Sequence, residues 1–461
     1  LSRFADAGSP AIPIHLVGGD DWTERAGAVG PAALAFARAC AFEPKPGRHL
    51  LLPGADGALA AVLFGVEAGS KPARDPLALG ALPGLLPEGV YRLADSPADP
   101  DLAALAWLLG SYRFERYRAK PASFATLLAP DGVDAAAVER IAAAVAMGRD
   151  LVNTPANDLG PDGIEAAARD LAGRHGAAIT STIGDDLIPG LPLIHAVGRA
   201  ASVAPRLIDL RWGEESHPRI TLVGKGVAFD TGGLDIKPAA AMLLMKKDMG
   251  GAAAALACAD MIMGAGLPVR LRVLVPAVEN TIAGNAFRPG DVLASRKGLH
   301  VEIGNTDAEG RLILADALAL ADEEEPALIV DFATLTGAAR VALGPDLPPA
   351  YTDDEELAAA LGRLGLAVAD PVWRMPLWVP YERMLDSKVA DLNNAPGGGF
   401  AGSVTAALFL RRFVQRAAAH LHLDIYGWNP SGKPGRPEGG EVQGARLVFA
   451  YLKERFIRSG A

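Results

Sequence analysis

Cysteine is almost missing from this chain, with Cys40 and Cys258 the only two among 461 residues. Two thiols so far apart exclude a disulfide framework and a thiolate zinc site, and they point to a reducing, cytoplasmic setting. Long apolar runs are missing too. The stretch GGAAAALACADMIMGAGL is broken by Asp260, short of the ~18 residues that a membrane span needs. Nor is there an excess of positive charge: the formal net charge is −10, the wrong sign for a chain whose main partner is a nucleic acid or an anionic membrane. The start, LSRFADAGSP, lacks the basic-then-apolar order of a signal peptide. Histidine numbers only eight, and no H-E-x-x-H, G-x-S-x-G or paired C-x-x-C occurs. No fixed-period repeat or low-complexity segment stands out.

What is present suits a large α/β protein. At roughly 100–200 residues per domain the length implies two or three domains, and with half of the residues hydrophobic a sizeable core can form. Residues 1–133 alternate short apolar runs with proline- and glycine-rich joints, as a small N-terminal α/β domain does. The stretch DAAAVERIAAAVAMGRDLV, residues 134–152, reads as one connecting helix because its apolar spacing is helical and its residues favour helix. Residues 153–461 read as a larger domain of strong β-α alternation. Strands are expected at 219–226, 269–278 and 327–337, with helices at 250–266 and 312–325. Apolar strands in that order predict a mixed, largely parallel sheet covered by helices. Ligands of such sheets bind beyond the carboxyl ends of the strands.

The charged motifs fall at those ends. In NTDAEGRL, residues 305–312, Asp307, Glu309 and Arg311 stand at i, i+2 and i+4, so an extended backbone would point all three to one side. A solvated loop and a hard-cation site with an arginine nearby are the competing readings. In VGKGVAFDTGGLDIKP, residues 223–238, Lys225 and Asp230 follow a buried strand; the glycine spacing of a phosphate loop is absent. Lys237 in the same loop reads by itself as a snorkelling surface lysine. Asp248, just before a glycine pair and an apolar helix, reads as an N-cap, a role compatible with metal ligation. Asp230, Asp248, Asp307 and Glu309 together are four carboxylates at the ends of one sheet. Their mutual repulsion calls for about two divalent cations. Oxygen-rich ligation suits Mn, Zn or Mg. His420 and His422 alternate along an expected strand and are read as packing or hydrogen-bonding residues.

The segments VGKGVAFDTGGLDIKP, MKKDMGGAAA and NTDAEGRL, in this order and spacing, closely resemble the signatures of the leucyl aminopeptidase (cytosol aminopeptidase) family of dinuclear metallopeptidases. VNTPANDLGP, DFATLTGA and SKVADLNNAPGGGFAGSVTAALFLRRFV resemble family segments as well. The resemblance covers residues from about 150 to 430 and departs mainly in the N-terminal part. It implies that Lys225, Asp230, Asp248 and Glu309 hold one metal and that Asp230, Asp307 and Glu309 hold the other. Lys225 must then be neutral. Lys237 and Arg311 match the two catalytic positions, and bicarbonate held at Arg311 is implied as general base. Met245, Thr334 and Leu335 fall where family members contact the first residue of the substrate. The implied activity is removal of N-terminal, apolar residues such as leucine from peptides by a water activated between two metals, in a cytoplasmic homo-hexamer. A DNA-binding accessory role and a different two-metal hydrolase are the alternatives; the acidic charge opposes the first.

Overall fold

A computed structural model of the chain describes residues 3–19, 21–67, 75–118 and 125–457. The alanine-rich stretch is one helix, Ala135–Asn153. The chain divides into two compact units, residues 1–146 with 431–438 and residues 147–430 with 439–461.

The first unit contains a five-stranded sheet in the order His49–Pro53, Leu59–Gly65, Ile12–Val17, Gly89–Leu93 and Ala125–Leu127. Only its first pair is antiparallel. Val17, Leu52 and Leu63 from the sheet and Ala26, Ala33 and Ala37 from two short helices share one small core.

The second unit, among the described residues, is built on a nine-stranded sheet. Its middle is parallel: His420–Asp424, Leu328–Ala333, Arg219–Gly224 and Arg270–Asn280 lie side by side in that order. Gly226–Asp230 pairs parallel with the far half of Arg270–Asn280. Antiparallel strands flank this centre, Arg206–Trp212 and Ala178–Ile183 on one side and Pro349–Tyr351 on the other. The sheet is therefore mixed with a parallel core, as its continuous apolar strands predict.

Two helices account for most of the burial against it. Gly250–Gly264 is buried along its whole length to Met263, and the small residues of GGAAAALA let it lie close to the strands. Glu309–Asp322 buries Leu312, Ile313, Leu314 and Leu318 in an extensive core cluster, each such side chain contributing about 1.5–3 kcal/mol. Among the described residues no helix is long and apolar enough to cross a membrane.

Candidate metal centre

Four parallel strands of the second unit end at one place. Lys225 follows Arg219–Gly224, Asp230 closes Gly226–Asp230, Asn280 closes Arg270–Asn280, and Thr334 follows Leu328–Ala333. Asp248 lies in a 3-10 turn, Met245–Met249, that leads into the buried helix. Asp307 lies in the turn before the Glu309–Asp322 helix, and Glu309 is its first residue.

These placements converge. Ligand atoms of Asp230, Asp307 and Glu309 lie within 4.8 Å of one another. Lys225 Nζ stands 2.7 Å from Asp248 Oδ2 and 3.0 Å from Glu309 Oε1, and it donates to the Thr334 carbonyl at 3.0 Å. Lys237 Nζ stands 2.8 Å from Asp230 Oδ2 and also pairs with Asp307. Lys225, Asp230, Asp248 and Glu309 are buried, whereas the Asp307 side chain keeps 33% of its surface exposed. Lys225 reaches this position by passing over Gly310, where a Cβ would lie 2.5 Å from Lys225 Cε.

The charges do not balance. Four carboxylates face two ammonium groups, and Asp248 Oδ2, Asp307 Oδ1 and Glu309 Oε1 are buried without a hydrogen bond of acceptable geometry. The lysines are near these oxygens but do not satisfy them directionally. Burial, followed by the charge of Asp230, pushes the Glu309 carboxyl up to about 8 and that of Asp307 up to about 6. Burial opposes charge on Lys225 as well, but Asp248 and Glu309 outweigh it and hold the ammonium above its ordinary range. A proton on Lys225 is thus what the carboxylates demand in the absence of a stronger cation. The donor set, carboxylate oxygens short of partners around an amine, fits divalent cations, which would replace that proton.

Arg311 is buried in the first turn of its helix. Its Nη1 donates to the Asn394 carbonyl at 2.6 Å, while its Nε is buried without a partner. Burial lowers its pKa only to about 10, so it remains a cation at neutral pH with a donor left for an anion.

Thr334 Oγ1 donates to Asp248 Oδ1 at 2.8 Å, which joins this residue to the carboxylate cluster. The Leu335 and Thr336 amides both donate to Asp424 Oδ1, so the loop after the strand is held from its other side. Met245 begins the turn that carries Asp248 and is half-buried.

Three readings of the sequence need correction. Asp307, Glu309 and Arg311 do not share an extended segment: the helix starts at Glu309, because EGRLILADALALAD carries helix-forming residues from its first position. Asp248 is not the N-cap of the following helix; Met249 occupies that position. Lys237 is not a surface lysine, its side chain being 13% exposed between two carboxylates. His420 and His422 do hydrogen-bond, at 2.8 and 2.6 Å, to the two oxygens of the fully buried Asp331. Asn280, Thr306, Asn394 and Asp424 organise the site without having been singled out. A polar residue closing an apolar strand, as Asn280 closes RLRVLVPAVEN, is the signal that was available for it.

Comparison with known proteins identifies the family. Residues 146–449 match the catalytic domain of the cytosol aminopeptidase family, and residues 12–130 match the M17 aminopeptidase N-terminal domain, where no motif was legible in the sequence. A probable cytosol aminopeptidase of Syntrophotalea carbinolica is 39% identical over 448 residues, 90% of each chain. The crystal structure of the cytosol aminopeptidase from Coxiella burnetii superposes with a TM-score of 0.93 at 44% identity, covering 98% of both chains. The bottromycin maturation enzyme BotP, solved in complex with Mn, gives a TM-score of 0.86 at 32% identity over 96% of this chain and 99% of its own. The chain belongs to the cytosol aminopeptidase family, hydrolases that remove N-terminal residues with the help of divalent metal.

Proposed function

We propose that this aminopeptidase uses two divalent cations, Mn, Zn or Mg, to release an apolar first residue, leucine above all, from peptides with a free α-amine. The observation that carries this reading is the convergence of Asp230, Asp307 and Glu309 beside the Lys225–Asp248 pair, with three carboxylate oxygens left without hydrogen bonds. Lys225, Asp230, Asp248 and Glu309 would hold one cation and Asp230, Asp307 and Glu309 the other. The pair would supply Lewis acidity, an anchor for the α-amine and a water acidic enough to attack at neutral pH.

The protein's own groups complete the chemistry. Lys237, kept protonated against burial by the charges of Asp230 and Glu309, stands where a fixed positive charge can meet an oxyanion developing on the scissile carbonyl. Arg311, with its Nε unpaired, supports a role in holding bicarbonate as general base. Met245, Thr334 and Leu335 would border the first side chain of the substrate. Work in the cytoplasm as a homo-hexamer goes with this reading through the family resemblance.

The test is hydrolysis of a leucine-amide chromogenic substrate and its N-acetylated twin by protein stripped of metal and reloaded with Mn or Zn. Cleavage of the free-amine form alone, restored by metal, is expected. Equal cleavage of both forms, or activity indifferent to metal, contradicts the proposal.

A further inference from the structure

We propose that Asn280 is a positioning residue of the metal centre: its amide selects which oxygen of Asp230 serves the cations and fastens together the two loops that carry the ligands.

Asn280 is fully buried at the end of its strand. Its Nδ2 donates to Asp230 Oδ1 at 2.9 Å and to the Thr306 carbonyl at 3.1 Å. Both partners are acceptors, so the amide cannot be turned the other way without setting oxygen against oxygen. Its Oδ1 has no hydrogen-bond partner and faces Gly233, where φ is +64° and a Cβ would sit 3.0 Å from that oxygen. A buried amide that forgoes one of its own hydrogen bonds is held for what its other end does.

That other end acts on Asp230. The Gly232 amide donates to the same oxygen, Asp230 Oδ1, at 2.8 Å. Two donors on Oδ1 fix the rotation of the carboxylate and leave Oδ2, the oxygen beside Lys237, for the site. The backbone of Asn280 holds the same loop, its carbonyl accepting from the Thr231 amide and the Thr231 hydroxyl, each at 3.0 Å. Through Thr306 the connection continues to the turn bearing Asp307 and Glu309. Thr306 Oγ1 donates to the Gly232 carbonyl at 2.6 Å and accepts from the Asp235 amide at 2.8 Å. The Thr306 amide donates to Asp235 Oδ2, also at 2.8 Å. Asn280, together with Thr306, is thus where the Asp230 loop and the Asp307–Glu309 turn meet.

The inference rests on the cation-binding reading above. The experiment measures Mn²⁺ binding to metal-stripped protein by titration calorimetry, for the wild type, Asn280→Ala, Asn280→Leu, Asp230→Ala and Arg272→Met, with thermal melts of each metal-free protein. Asn280→Leu keeps the volume filled where Asn280→Ala opens a gap. Both should weaken Mn²⁺ binding by about 10–100-fold, the usual effect of losing a partner of a metal ligand, and excess Mn²⁺ should restore much of their turnover. Arg272→Met, far from the ligands, should lower the melting temperature without moving Mn²⁺ affinity. Unchanged affinity in either folded Asn280 variant, beside weakened binding in Asp230→Ala, overturns the role of Asn280 alone. A wild type that binds no Mn²⁺, or an Asp230→Ala variant that binds it normally, overturns both readings.

Discussion

Both ends of the parallel strands carry clustered charge and treat it in opposite ways. At the amino ends, Arg272 makes a bidentate contact with Asp209 and also reaches Glu324 at 3.0 Å. Arg211 joins both acids, and Arg219 donates to the Glu324 carbonyl. None of these side chains leaves a buried atom without a partner. At the carboxyl ends the carboxylates outnumber the ammonium groups, and three buried oxygens, though close to a lysine, lack a well-directed hydrogen bond. Clustered charge therefore does not distinguish a functional end from a structural one. What distinguishes it is whether the charges satisfy each other without outside help.

The largest effect should come from Glu309→Gln, which removes a carboxylate from the unbalanced end. Peptidase activity should disappear, yet the metal-free protein should melt at a higher temperature, since the folded chain resists a charge at this position. A metal-free variant that melts lower than the wild type would contradict the claim that the charges at this end do not satisfy one another. Lys237→Met should reduce kcat by about 10²–10³-fold, the scale on which a single donor to an oxyanion acts. Steady-state kinetics at saturating Mn²⁺ decide it, and a change confined to KM would remove Lys237 from the chemistry.

Smaller effects separate the ends by stability. Arg272→Met leaves Asp209 and Glu324 with Arg211 alone between them and should cost about 2–3 kcal/mol, less than the ~3–5 of a fully buried pair because both acids are partly exposed and keep that partner. Activity per folded molecule should not change; denaturant melts paired with kinetics test this. Gly310→Ala, which drives a methyl into the Lys225 stem, should cost about 1–3 kcal/mol and also damage activity.

A further effect is one of pH. A carboxyl whose folded pKa is raised binds its proton more tightly in the folded chain, so its contribution to stability is lost as pH rises through that pKa. For Glu309 the window runs from the ordinary carboxyl value up to about 8, and for Asp307 up to about 6. Metal-free protein should therefore lose stability between pH 5 and about pH 8. Asp316, which burial raises to about 7, acts in the same sense, so the slope that Glu309→Gln removes measures the share of Glu309. Melts of the two proteins across this range give the answer directly.

The candidate ligands were legible because charged residues in apolar surroundings stand out along a single chain. NTDAEGRL and VGKGVAFDTGGLDIKP needed only strand ends to carry them, and the apolar strands supplied those. The direction of Arg311 was not legible, since a spacing of two means one side of a strand but not of a helix, and the helix begins earlier than its apolar stripe. Asn280 and Thr306 were not legible because one uncharged polar residue at a strand end or in a turn forms no pattern. Their importance arises from contacts between segments 26 residues apart in the chain. The first unit offered no chemistry-bearing motif, and its relationship became visible through similarity over residues 12–130.

The helix Gly250–Gly264, buried on every side, has one more consequence. Its backbone amides have no route to solvent through local fraying of an exposed face, so they should exchange with deuterium only when the second unit opens as a whole. Asp248 stands two residues before that helix, whereas Asp307 lies in a partly exposed turn. Under mild denaturant or limited proteolysis the cluster should come apart in order, with the Asp307 turn the first to open and the Asp248 turn the last.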